Sequence, residues 1–146
     1  MQILLPVDGS DSTRNAIKQA LAFAKSLGAK VIGLHVEPEF HMPWVEGDFL
    51  PTNKMLKDRV DEEHKARAQH ILDSLRNEAI SAGVECEGVV GINDIVYQEI
   101  ISTAEKQNCD LIVMASHGHA GPTAVLLGSE TAKVLTHTKL PVLVLR

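Results

Sequence analysis

Short unbroken apolar runs alternate along this chain with segments of helical period, and this alternation constrains the fold more than any other feature. "QILLPV" (Gln2 to Val7) and "KVIGLHV" (Lys30 to Val36) are such runs, and between them Ala16, Ile17, Ala20, Leu21, Ala24 and Leu27 repeat at helical spacing before Gly28. That is a βαβ unit. Leu56, Val60, Ala68, Ile71, Leu72, Leu75 and Ala79 then mark one face of a long helix that Gly83 ends. "VECEGVV" (Val84 to Val90) reads as a third strand, and Ile95, Val96, Ile100, Ile101 and Ala104 as a third helix. "DLIVMA" (Asp110 to Ala115), Glu130 to His137 and "PVLVLR" complete the order βαβαβαβαβ.

Strands covered by helices on both faces read as continuous Val/Ile/Leu runs, as "ILLPV", "DLIVMA" and "PVLVL" do. The expected fold is a doubly wound, five-stranded parallel α/β sandwich with helices on both faces. In such a sheet a ligand sits beyond the carboxyl ends of the strands, where strand order reverses. The loops after the first and fourth strands are therefore the places to examine, although periodicity alone does not fix the strand order.

Length and charge narrow the choice of partner. The chain has 146 residues, the size of a single domain spanning 1–146, with 45% apolar and 23% charged residues, as in an ordinary globule. A formal charge of −5 supplies no general attraction to nucleic acid or anionic lipid, so any anion site must be local. "ILLPV" is too short for a membrane span or a signal segment, and a cytoplasmic location is expected. Cys86 and Cys109 read as small buried, inert side chains rather than a disulfide framework or a zinc site.

The first loop is "PVDGSDST". Gly9 permits a tight bend, and Ser10, Asp11 or Ser12 can cap the following helix, so a good turn plus a cap accounts for most of it. Asp8 exceeds that reading, because a carboxylate at a strand's carboxyl edge can accept from a ribose hydroxyl or hold a hydrated Mg²⁺ beside phosphates. In the second loop, Gly118 and Gly121 allow close backbone approach, and Gly128 with Ser129 opens a helix whose free N–H groups favour an anion. A surface loop with an ordinary helix cap is the competing reading of the same residues.

At these residues the chain resembles the universal stress protein (UspA-like) family. The resemblance rests on the run from Asp110 to Ser129, "PVD" after the first strand, "LHV" at the second and "PVLVLR" at the end, and it covers essentially the whole chain. ATP-binding members carry G-x-x-G, nine residues, then G-[S/T]. Here the spacing holds at Ala115, Ser116, His117, Gly118, Gly128 and Ser129, with alanine replacing the first glycine. Alanine tolerates an extended backbone without penalty. The chain therefore sits nearer the ATP-binding members than the nucleotide-free ones, which lack the whole glycine motif.

The resemblance implies the strand order 3-2-1-4-5 and ATP, with or without Mg²⁺, as ligand. It places Pro6, Val7 and Asp8 beside the nucleotide, the Val36 backbone at the adenine and Met114 beside the base or ribose. It puts Ser116, His117, Gly118, Gly128, Ser129 and Glu130 around ribose and phosphates. It further implies a homodimer paired through the C-terminal strand and a regulatory protein whose ATP occupancy alters shape or partner choice, hydrolysing ATP slowly if at all. The protein partner is unknown, and neither nucleic acid nor membrane is expected.

Other features are less specific. His117 and His119 need a further ligand to make a metal site, and His35, His41, His64, His70 and His137 are scattered. The connection from Glu37 to Asn53 carries three prolines and three of the five aromatic side chains, which suits a lid or a patch packed on the protein or its partner. The charges of "KDRVDEEHKARAQH" read as the solvated face of the second helix, with Asp61–Lys65 and Glu63–Arg67 pairs. Two rivals stand beside the ATP-binding reading. One is a nucleotide-free protein of the same fold acting through its dimer surface. The other is a PP-loop-type ATP pyrophosphatase, for which Gly9, Asp11 and Ser12 match S-G-G-x-D-S but Val7 and Asp8 break it. No Walker-type phosphate loop is present.

Overall fold

The computed structural model describes residues 1–41, 50–116 and 127–146, with side chains in the second helix from Lys54 onward. Among these residues the elements run β1 (Gln2–Pro6), α1 (Asp11–Leu27), β2 (Lys30–Glu37), α2 (Leu50–Ala82) and β3 (Cys86–Ile92). They continue with α3 (Val96–Lys106), β4 (Leu111–Ala115), α4 (Ser129–His137) and β5 (Val142–Leu145). All strand pairings are parallel and the sheet order is β3-β2-β1-β4-β5. Winding reverses between β1 and β4, so their carboxyl ends open onto one crevice.

The unbroken apolar runs follow from burial on both faces. Ile3 and Leu5 point toward Ala20, Leu21 and Ala24 of α1 and Leu72, Leu75 and Ala79 of α2. Leu4, between them in sequence, points the other way and packs with Ile32, Leu34, Ile112, Ile100, Ala104 and Val134 under α3 and α4. Leu4, Ile112 and Val134 are wholly buried, each stabilising the fold by about 1.5–3 kcal/mol relative to an exposed side chain.

Helix α2 lies directly on β2. A Cβ built on Gly33 would stand 2.3 Å from Leu75 Cδ2, so a larger residue there would have to push the Leu75 side chain aside. The helix spans 33 residues, about 50 Å of length, whereas the eight residues of β2 cover about 26 Å. The sheet therefore cannot cover it. Burial begins at Ala68, while Leu56 is exposed and Val60 only half-buried, so these two do not join the core face that their spacing predicts. The helix also begins earlier than expected, taking in Leu50 to Asn53 and shortening the connection before it. The remainder of the proposed lid or packing patch, 42–49, lies outside the described residues.

Cys109 is buried, as expected, but Cys86 is only half-buried, because β3 is an edge strand. Burial pushes both thiols up, which keeps them protonated and unreactive. No helix among the described residues is long and apolar enough to cross a membrane.

Candidate functional site

The chain leaves β1 at Val7 and bends sharply at Gly9, whose φ is +78°. The Ile71 side chain of α2 lies 2.8 Å from where a Cβ on Gly9 would sit, so the backbone disfavours a larger residue and its Cβ would have to displace Ile71. Asp8 Oδ1 accepts from the Ser10 amide at 2.9 Å and the Ser10 hydroxyl at 2.6 Å, with the Thr13 hydroxyl 3.3 Å away. Ser10 occupies the N-cap position of α1, yet its side chain makes no cap bond there. The carboxylate of Asp8 draws the hydroxyl away, so the expected cap is replaced by a turn organised around Asp8.

At β4 the chain is drawn back on itself. Gly128 N donates to Ser116 O at 2.7 Å, Ser116 N donates to Leu145 O at 2.7 Å, and the Thr131 hydroxyl donates to Ala115 O at 2.9 Å. These bonds hold the start of α4 over the end of β4. Gly128 has φ −57°, which any residue adopts, and it caps α4 without a side-chain bond. The first N–H groups of α4 thus face the crevice with no side chain of the N-cap spent on them. Ala115 lies in β4 opposite Leu145, an extended position in which its methyl is unstrained.

Between these loops is a cavity of about 440 Å³. Leu34, Val36, Val96, Ile100 and Met114 give it an apolar wall, and Asp8, Thr13, Gly128, Ser129, Glu130 and Thr131 a polar one. Glu130 Oε1 accepts from Lys133 Nζ at 3.2 Å, while its Oε2 is buried with no hydrogen-bond partner among the described residues. Apolar side chains together with hydroxyls, a carboxylate and the start of a helix suit a small ligand with an aromatic ring and a polar tail.

Of the residues singled out in the sequence, Pro6, Val7, Asp8, Val36, Met114, Gly128, Ser129 and Glu130 all line this cavity. Ser116 is buried but is not part of the described wall, and its backbone serves to join β4, β5 and α4. His117, Gly118, His119 and Gly121 lie outside the described residues. Sequence reasoning missed Thr13, Leu34, His35, Val96, Ile100 and Thr131 as wall residues, while Ala115, placed in the glycine motif by its spacing, also lines the wall. Val96 and Ile100 carried a signal, an i, i+4 pair at the start of a helix facing the sheet, but it reads equally well as core.

A second omission lies behind β2. His35 and Glu37 are buried, and His35 Nδ1 is 2.8 Å from the Val7 carbonyl while Nε2 is 2.8 Å from Glu37 Oε1. Arg67 of α2 donates its Nε to Glu37 Oε1 at 2.8 Å and its Nη2 to Glu37 Oε2. Burial pushes the Glu37 carboxyl up, but the bonds from Arg67 and His35 outweigh it and hold the group below the usual carboxylate range. Arg67 was expected to pair with Glu63 on a solvated face; it reaches into the sheet instead, because an otherwise uncompensated buried carboxylate is the stronger partner.

Glu39, His41 and Asp94 bring three ligand-type atoms within 4.8 Å of one another, all exposed. His41 bonds Asp94, and the Glu39 amide donates to Asp94 Oδ1 at 3.0 Å, which accounts for the cluster without an ion. Asp94 raises the His41 pKa, and its own falls in return.

A doubly wound parallel sheet with such a crevice at its switch point defines a Rossmann-like α/β protein. The chain matches the universal stress protein family over residues 1–146, and it belongs to that family. It is 31% identical over 148 residues to universal stress protein MJ0531 of Methanocaldococcus jannaschii, covering 99% of this chain and 81% of the relative. The solved structure of MJ0577 from the same organism superposes with a TM-score of 0.80 at 26% identity, covering 99% of this chain and 94% of that one. A universal stress protein from Archaeoglobus fulgidus in complex with dAMP shares the fold at 18% identity and a TM-score of 0.71, over 100% of this chain and 98% of that one.

Proposed function

We propose that this protein binds ATP in the cavity between β1 and β4 and acts as a cytoplasmic stress-response regulator rather than as an enzyme. The observation that carries the reading is the composition of that cavity. The slot between Leu34, Val36, Met114, Val96 and Ile100 matches a base, and the α4 N-terminus at Gly128 and Ser129 matches phosphate. The unpartnered Oε2 of Glu130 suits a ribose hydroxyl as donor. A volume of about 440 Å³ falls within the range of small-ligand pockets. The dAMP complex of the Archaeoglobus protein adds support from the same fold. If Mg²⁺ accompanies the phosphates, Asp8 would meet it through water, since Oδ1 already accepts from Ser10.

Binding rather than turnover is favoured by the state of the candidate bases. Asp8 is spent on its turn, and both ring nitrogens of His35 face acceptors. Occupancy then acts through shape, and β5, an edge strand, supplies the surface for a second copy and so for signalling to a protein partner. Mass spectrometry of small molecules released from purified protein, followed by calorimetric titration with ATP and Mg²⁺, tests the reading. Release of ATP or ADP and saturable binding support it. AMP with pyrophosphate formation would indicate a pyrophosphatase, and no nucleotide at all a protein acting only through its dimer surface.

A further inference from the structure

The β1–β2 ladder stops one rung before it needs to. Its register ends at Pro6 opposite Leu34, and Val7 N still donates to Leu34 O at 2.8 Å. In a parallel ladder the next bond would run from the Val36 N–H to the Val7 carbonyl, because alternate residues of β2 turn their backbone groups toward β1. That carbonyl is met instead by His35 Nδ1 at 2.8 Å, and Val7 and His35 form no ladder pair. A carbonyl only accepts, so Nδ1 is the donor. On the ring's other side, Nε2 faces the Glu37 carboxylate at 2.8 Å. Arg67 grips Glu37 through two nitrogens and fixes the ring's orientation from α2.

We infer that His35, held by Glu37 and Arg67, is a positioning residue that occupies the Val7 carbonyl, ends the β1–β2 ladder at Leu34, and leaves the Val36 N–H directed into the cavity for a ring-nitrogen acceptor of the bound base. Val36 lines the cavity beside Leu34 and Met114, and the family resemblance puts its backbone at the base. The group selects by chemistry. Adenine offers an unprotonated ring nitrogen beside its amino group, whereas guanine carries a proton on the same ring atom and would set donor against donor. The identity of the ligand and the place of its base rest on the ATP reading; the ladder stop rests on the geometry alone.

Two polar substitutions separate the roles of the ring's two sides. The amide nitrogen of His35→Asn falls near the place of Nδ1 and can still donate to Val7 O; that of His35→Gln falls near Nε2 and faces Glu37 only. Amide hydrogen exchange followed by NMR in the nucleotide-free protein is the first readout. The Val36 amide should exchange fast in the wild type and in His35→Asn, and at least about tenfold more slowly in His35→Gln, where Val36 takes over the carbonyl that His35 has released. Titration with ATP and GTP is the second. His35→Gln should bind ATP about tenfold more weakly and GTP unchanged, as expected for one lost hydrogen bond to the base, with His35→Asn within about twofold of wild type. An unchanged Val36 exchange rate in His35→Gln, or equal weakening of ATP and GTP, would overturn the inference. The expected exchange pattern in a protein that binds no nucleotide would overturn the ATP reading and sustain the ladder stop.

Discussion

Arg67 and Glu37 stand 30 residues apart in sequence, yet the guanidinium Nε of one lies 2.8 Å from the carboxylate of the other, at the point where α2 crosses the end of β2. Glu37 is 3% exposed at its side chain and Arg67 56%, so the pair is a buried anion held from the surface. Removing the cation leaves the buried anion with His35 as its remaining side-chain partner among the described residues. Arg67→Met should cost about 1–2 kcal/mol in urea unfolding, the lower part of the range for charged hydrogen bonds because the guanidinium is more than half in water.

The same pair sets a response to acid. Glu37 has a pKa lowered from about 4.5 in the folded chain, so the unfolded chain takes up its proton first as pH falls. Its contribution is fully present above about pH 4.5 and is lost as pH drops through the lower folded value. Melts between neutral pH and pH 3 should show a shallower acid loss in Glu37→Gln than in the wild type. Parallel acid profiles would mean that the pair is not linked to stability.

Gly9 is fixed by two independent constraints, a φ of +78° and the Ile71 methyl 2.8 Å from any Cβ. Gly9→Ala should therefore lose about 1–2 kcal/mol through the left-handed backbone alone, with displacement of Ile71 adding to it. Denaturant titration reads the loss. A change below about 0.5 kcal/mol would show that the turn relaxes.

At the cavity, Gly128→Val puts a branched side chain at the start of α4, where Gly128 lines the wall, and should weaken ATP by about tenfold or more, roughly 1.4 kcal/mol. Gly118→Val, argued from sequence spacing, should act alike. Ala115→Gly restores the family's glycine and should keep or improve affinity. Calorimetry on the three variants decides whether the nucleotide lies here, and valine variants within about twofold of wild type would place it elsewhere.

The proposed dimerisation through β5 has a test that follows from the ladder. Ile112 N donates to Pro141 O and Ser116 N to Leu145 O, so 141 and 145 turn their backbone toward β4 and, by alternation, Val142 and Val144 turn theirs to the open edge. Val142→Pro or Val144→Pro removes a donor from that edge while sparing the β4–β5 bonds. Light scattering should show a monomer. An unchanged dimer would move the interface to another face.

Apolar runs such as "ILLPV" and "DLIVMA", with helical repeats between them, were enough for the amino-acid sequence to determine the nine elements among the described residues and a parallel, doubly covered sheet, because burial on both faces leaves a strand no polar positions. Of the eight wall residues named beforehand, Asp8, Gly128 and Ser129 were legible where the loops turn, whereas Pro6, Val7, Val36, Met114 and Glu130 followed from the family resemblance. What tertiary structure alone decided are the partners of charged and polar groups. Glu63 and Arg67 satisfy the helix-surface spacing rule, Ser10 satisfies the helix-cap rule, and Leu56 keeps the helical period, yet Arg67 joins Glu37, Ser10 joins Asp8, and Leu56 is left in water. Local spacing specifies which groups can meet along one element, whereas the choice among competing acceptors depends on which is buried. That in turn is set by how far a sheet about 26 Å deep reaches along a helix of about 50 Å.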